Sequence, residues 1–300
     1  MISKEEFISE CDKIIDPEDK KEYERKRKQR VVWLAILLSL EFVFGLINFI
    51  RLIQWRMIAV AIVAIFAMKI IMCFTIAIVL YETKFLWKNC KERYTHNVVD
   101  ILLRDYKYSY QHRDGLPSEL LTQSGFCGQF LCCRREDLLE LNIPKDNGEP
   151  SRVKFKISDM HAENEFFTVY SGMLGYIKFP FKFKCNISLN ANCSVGKKIT
   201  FEDIEFNNLF DVYSDNEIEA HVMLTPIIIQ KLKSLRNRLY NLKITLHQKG
   251  ELFIGSADEM FKLNNTSKPE GRAFEHFYDD MSDIMAIINE IKNNNKLFRM

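Results

Sequence analysis

The sequence predicts a membrane-anchored α+β protein: an N-terminal two-helix transmembrane hairpin, a helical stalk, and a cytosolic domain of antiparallel sheet plus helices. Three observations carry this reading. Two long apolar runs, Val31 to Ile50 and Met57 to Tyr81, are separated only by the polar hinge Arg51 to Arg56. At about 1.5 Å of rise per residue, each run is long enough to cross a hydrocarbon core about 30 Å thick. Beyond Gly115 the apolar periodicity changes to two and then back to that of helices, as expected of a mixed domain.

The elements follow in order. Residues 1–30 form a polar, acidic arm with one short helix, interrupted by Pro17 and ending in the basic cluster Arg25, Lys26, Arg27, Lys28 and Arg30. The hairpin occupies 31–81. Lys84, Lys88, Lys91 and Arg93 follow it, so both flanks are basic and the positive-inside rule places both termini in the cytoplasm of a multi-pass cell-membrane protein. Glu41 lies ten positions before Arg51 and Lys69 thirteen after Arg56. In antiparallel helices their depths differ by about 4.5 Å at ~1.5 Å per residue, and an unpaired charge at that depth costs at least ~2.5 kcal/mol. The pair is therefore expected to fix helix register; its alternative use is in ion or proton transfer.

Leu86, Cys90, Tyr94, Val98, Leu102 and Tyr106 recur at helical spacing and predict an amphipathic stalk helix over 82–114, its stripe packed on the domain or on a second copy of the chain. Gly115-Leu116-Pro117 is a turn that opens the domain at 115–300. Val153, Phe155 and Ile157 alternate with polar residues, Phe166, Val169 and Tyr170 fall in a β-prone run, and Phe179, Phe181 and Phe183 are spaced by two, all read as strands. Lys154, Lys156, Lys178, Lys182 and Lys184 are expected on exposed faces or edges.

Further on, Ser214 with Glu217 three residues later has the form of a capping box, and Thr225 followed by Pro226 is a second helix start. From there Ile228, Leu232, Leu235, Leu239 and Leu242 form an apolar face, while Lys231, Lys233, Arg236 and Arg238 are expected in solvent. Leu242 to Ile254 reads as a hairpin turning at Lys249-Gly250. Phe277, Met281, Ile284, Ile288 and Ile291 mark a last amphipathic helix, with a frayed polar tail from Asn293.

The stretch Phe210-Asp211-Val212-Tyr213-Ser214-Asp215, then Glu219-Ala220 and Leu224-Thr225-Pro226, with the helix and hairpin after it, resembles a bacterial membrane-protein family known as domain of unknown function three-one-three-seven. Specific residues match from about Gly196 to Ser256, and the layout of two membrane helices ahead of a domain extends the likeness. The match departs at His221-Val222, where the family favours an arginine and an aromatic residue. The resemblance implies this architecture and no activity.

Other chemistries lack their patterns. The chain has no G-x-S-x-G, H-E-x-x-H, dinucleotide-binding or phosphate-loop motif, and no cofactor is expected. The net charge of +2 gives no reason to expect nucleic acid. Eight cysteines are scattered as reduced cytosolic thiols; Cys127, Cys132 and Cys133 form the one weak metal candidate, in a C-x4-C-C spacing that lacks a second ligand pair. The function expected is a membrane-anchored binding or regulatory module without catalysis, its partners the lipid bilayer, a protein, or further copies of itself. The alternative is a component of an ion- or proton-coupled complex using Glu41 and Lys69.

Overall fold

The computed structural model describes residues 1–22, 94–144, 153–191, 195–261 and 271–298, with scattered positions between 24 and 69. The chain divides into two compact units: Met1–Ile8, Thr95–Lys262 and Phe274–Met300 form the first, Ser9–Tyr94 and Leu263–Ala273 the second.

The first unit is organised on one antiparallel sheet. Among the described residues it has β1 (Tyr108–Gln111), β2 (Cys132–Asn142), β3 (Lys154–Glu163), β4 (Thr168–Lys178), β5 (Ile187–Leu189), β6 (Lys197–Ile199), β7 (Val212–Ser214), β8 (Lys243–His247) and β9 (Glu251–Gly255). Their order is β1-β2-β3-β4-β9-β8-β5-β7-β6. β2, β3 and β4 make a long meander in which Leu139 faces Ile157 and Ile157 faces Gly175. The β8–β9 hairpin turns where expected. Gly250 there has φ +82°, and a Cβ would lie 2.1 Å from the Phe181 carbonyl oxygen, so the turn requires glycine.

β8 and β9 are buried on both faces, and alternation sends their side chains to two cores. Ile244, Leu246, Leu252 and Ile254 meet Ile228, Leu232, Ile287, Ile291 and Phe298 on one side. Phe253 joins Leu116, Leu121, Phe126, Met160, Tyr170 and Leu174 on the other. Helices from the second half of the chain supply the first of these layers, and a short earlier one carries Leu121 into the second. In order, the helices with defined bounds among the described residues are α1 (Lys4–Ile14), α2 (Ser118–Ser124), α3 (Ile204–Leu209), α4 (Glu217–Met223), α5 (Pro226–Arg238), α6 (Glu275–Asn293) and α7 (Asn295–Phe298). Ile228, Leu232 and Leu235 of α5 and Phe277, Met281, Ile284, Ile288 and Ile291 of α6 are all buried, as their spacing requires. Each such side chain contributes about 1.5 to 3 kcal/mol.

The antiparallel sheet with helices therefore agrees with the sequence, and several local expectations are corrected. The stalk helix expected over 82–114 is described only from 94, ends at 103, and is followed by β1. Among the described residues of that segment, Val98, Val99, Leu102 and Leu103 are buried within the chain. Phe179, Phe181 and Phe183 do not form a strand but stack as a ring cluster, with centroids 5.4 to 5.8 Å apart. Phe166 lies outside β4, 84% exposed in the turn before it. The lysines of the sheet do face outward as expected, Lys154, Lys178 and Lys182 being exposed, and they add pairs across strands: Lys154 and Lys156 with Glu140, Lys178 with Glu251.

The basic side of α5 is likewise not left to solvent. Arg238 Nε is 2.7 Å from Asp280 and its NH2 2.7 Å from Asp283, while Lys231 reaches Asp283 at 2.9 Å. The arm is no free arm at its start, because Ile2 and Phe7 are buried and Lys4 pairs with Glu275 and Asp279 of α6. The tail beyond Asn293 is closed by α7, whose Phe298 is buried and accepts from the Lys184 N–H through its carbonyl at 3.0 Å. Among the described residues no helix is long and apolar enough to cross a membrane. Apart from scattered positions, the hairpin expected at 31–81 lies outside the described residues, as does Glu41; Lys69 is a single helical, exposed position.

Candidate functional site

A concentrated polar cluster stands where β2 breaks its register. Between Glu136 and Leu139 the β2–β3 pairing shifts, and Asp137 takes φ +62°, a left-handed conformation uncommon outside glycine that Asp and Asn tolerate best. The chain after β1 folds over this bulge: Asp137 N–H donates to the His112 carbonyl and Leu138 N–H to the Asp114 carbonyl, both at 3.0 Å. Asp137 is thereby sealed from solvent, and its Oδ1 lies 2.5 Å from Tyr110 Oη and 2.5 Å from His112 Nδ1.

Neighbouring elements complete the pocket around the tyrosine. The His96 ring meets Tyr110 edge-on at 5.9 Å and Phe261 lies 5.6 Å away. Burial, then the Asp137 carboxylate, push the Tyr110 hydroxyl well above the usual phenol range, so it serves as a donor and not as an acid. Buried Asp159 accepts from Met260 N–H at 2.8 Å and holds the chain after β9 against β3. An imidazole held at Nδ1 by a buried carboxylate has a fixed orientation, the orienting half of a general-base pair. Here the carboxylate divides itself between two partners and locks the start of the sheet. The buried hydroxyl on β3, Ser158, is committed to the Leu116 N–H at 3.1 Å. One trace of this site is visible in sequence: Leu138 and Leu139 are adjacent and both buried, which breaks a period of two.

The residues singled out from sequence are placed as follows. Ser214 ends β7, and its hydroxyl donates to the Asn186 carbonyl at 2.7 Å. The capping residue of α4 is Asn216, which accepts from Glu219 N–H at 3.2 Å; Glu217 is the first helical residue. A strand residue paired on both sides cannot also fold over a helix end, which moves the cap by two positions. Thr225 caps α5 by accepting from Ile228 N–H at 3.3 Å, with Pro226 first in the helix. Cys127 is buried, Cys133 half-buried and Cys132 exposed. Burial pushes the Cys127 and Cys133 thiols up, the opposite of what a thiolate ligand needs. Among the described residues no group of His, Cys, Asp and Glu is placed to hold a metal ion. A cavity of about 10 Å³ under α5 is lined by aliphatic chains, Met223 and Phe298, room for no more than one water-sized sphere.

A family model described as "Protein of unknown function (DUF3137)" matches residues 168–293. That stretch, under half of the chain, is similar to the DUF3137 family. The matched stretch opens in β4 and closes at the last residue of α6, so it contains β8, β9, the Thr225 cap and the Arg238–Asp283 network. Tyr110, His112 and Asp137 stand ahead of it. Among solved structures, the crystal structure of the mycobacterial trehalose monomycolate transport factor A, TtfA, is similar at 10% identity and a TM-score of 0.26, covering 61% of this chain and 92% of that one. No curated protein matches.

Proposed function

We propose that the chain is a membrane-anchored binding or regulatory module, held on the bilayer by the 31–81 hairpin and working through the surface of its sheet domain without catalysis. The observation that carries the reading is apolar exposure ahead of the domain. Val32, Trp33, Ile36, Leu40, Val43 and Ile47 are helical and between 42% and 57% exposed. They recur at one, three and four residues, a continuous apolar stripe that water does not favour and hydrocarbon does. The domain supports the second half of the reading. Its acids are occupied in joining elements, Asp137 to Tyr110 and His112, Asp283 to Arg238, Lys231 and Ser234, and the cavity under α5 has no polar lining.

The test is topology in intact cells. A membrane-impermeant thiol reagent applied from outside is expected to label a cysteine placed at Gln54 and not one placed at Asn264, and the chain is expected to stay with membranes in alkaline carbonate. Labelling at Asn264 alone overturns the orientation. Release by carbonate overturns the anchor.

A further inference from the structure

We infer that the solvent face of the sheet, at the Lys154 end of β3, carries a binding site for a phosphate monoester group, held by Lys154, Lys156 and Lys178. Cross-strand pairing traces the site. Asn142 of β2 faces Lys154, Lys178 of β4 faces Glu251, and Glu251 of β9 faces His247 of β8. Lys154 and Lys178 are the positions next to the Phe155–Ile177 pair, so they stand side by side and join these residues into one row. Lys107 extends the row beyond β2, its carbonyl accepting from Asn142 N–H at 2.9 Å. The next row on the same face is Glu140, Lys156, Tyr176 and Phe253. Leu141, Phe155, Ile177 and Leu252, which alternate with these, are buried on the opposite face. The Lys154 and Lys178 side chains, 53% and 46% exposed, therefore point to water.

Two features of this face fit it to an anion. The first is a like-charge contact. Opposite positions of an antiparallel pair hold their Cβ atoms about 4.5 to 5.5 Å apart, and two ammoniums placed so destabilise the sheet. Their carboxylates stand to the outside. Glu140 lies 3.5 Å from Lys154 and also bonds Lys156, while Glu251 lies 3.0 Å from Lys178 and accepts from the Tyr176 hydroxyl. An ammonium has three donors and each glutamate occupies one, so both lysines keep donors for an oxyanion set between them. The second feature is the balance of charge. On and beside the two rows, Lys107, Lys154, Lys156, Lys178 and Lys249 stand against Asp105, Glu140 and Glu251, a surplus of two positive charges among the described residues. His247, held below the usual imidazole value by burial, adds none near neutral pH. A phosphate monoester carries about 1.5 to 2 negative charges there, its second pKa being about 6. One such group balances the surplus, where a carboxylate or a phosphodiester balances half of it.

This inference names the ligand of the binding surface in the proposed function and rests on that half of it, not on the membrane anchor. The full chain in dodecyl maltoside is melted at neutral pH and matched ionic strength with glycerol phosphate, against acetate, and with dihexanoyl phosphatidic acid, against dihexanoyl phosphatidylcholine. A phosphate monoester is expected to raise the melting temperature saturably and well above its control. A rise with phosphatidic acid alone assigns the group to a lipid headgroup; a rise with both assigns it to the phosphate itself. Lys154→Ser/Lys178→Ser is expected to lose the rise while melting without ligand at or above the temperature of the unaltered chain, because the like-charge contact is gone. Each single serine variant is expected to weaken binding severalfold, and Lys154→Arg/Lys178→Arg to keep it. No rise with either monoester, an equal rise with acetate, or a rise kept in the double serine variant overturns the site. Carbonate release of the unaltered chain overturns the anchor and leaves these melting shifts as the test of the site.

Discussion

Asn216 and Ser214 stand two residues apart and look alike as capping residues, yet the fold gives them different work. Asn216 accepts from an exposed helix N–H, whereas Ser214 is 3% exposed and ties β7 to the Asn186 carbonyl. Asn216→Ala is expected to cost about 1 kcal/mol in a chemical melt, and Asn216→Asp to restore it, because a carboxylate accepts at the same position. Ser214→Ala is expected to cost about 1 to 2 kcal/mol, and Ser214→Asp to be worse than alanine, because it buries a charge where a donor is needed. Rescue by aspartate at Ser214 and not at Asn216 would return the cap to the serine.

At the scale of elements, what was legible in the sequence is what local pattern determines. The β8–β9 hairpin, the Thr225-Pro226 start and the α6 stripe each follow from spacing and turn chemistry within a dozen residues. β1 was missed because four residues on a sheet edge carry a tyrosine alternation too short to outweigh the helical pattern before it. The partners of the α5 cations were missed because Asp280 and Asp283 lie more than forty residues away, and only packing brings them together. The Asp137 site left only a phase change in a strand. The α5–α6 network carries its own prediction. Asp283 has a 9% exposed side chain and three partners, so Asp283→Asn strands Lys231 and leaves Arg238 with Asp280 as its one carboxylate, and is expected to cost about 2 to 3 kcal/mol. Lys231→Met alone is expected to cost well under half as much, its amine being 36% exposed; equal losses would show that the contribution of Asp283 runs through Lys231 and not through Arg238. In the expected hairpin, Glu41→Gln and Lys69→Met should each lower membrane yield and the double variant recover it; additive losses would refute the pairing.

For the whole molecule, the titrating groups of the sheet domain give stability a definite pH profile. His247 is held below the usual imidazole value by burial against Phe253, with Glu251 opposing only in part. Its folded pKa lies below its unfolded one, so the stability tied to its neutral form is complete above about 6.5 and declines as pH falls through that value. Glu140 is held below the usual carboxylate range by the Lys156 hydrogen bond, against its burial. Burial works to raise Asp283, but hydrogen bonds from Arg238, Lys231 and Ser234 outweigh it and hold it low. These two contribute stability above about 4 to 4.5 and lose it as pH falls further. Asp280 runs the other way: burial raises it despite Arg238, so it takes up a proton in the fold first and softens the acid loss. The melting temperature of the purified chain should therefore fall in two steps on acidification, a shallow one near 6.5 and a steeper one below 4.5. His247→Gln should remove the first step and leave the second; Glu140→Gln should leave the first and shrink the second to the part that Asp283 carries, with a lower plateau at neutral pH. A single acid transition unchanged in both variants would mean that neither side chain titrates differently in the fold and the unfolded chain.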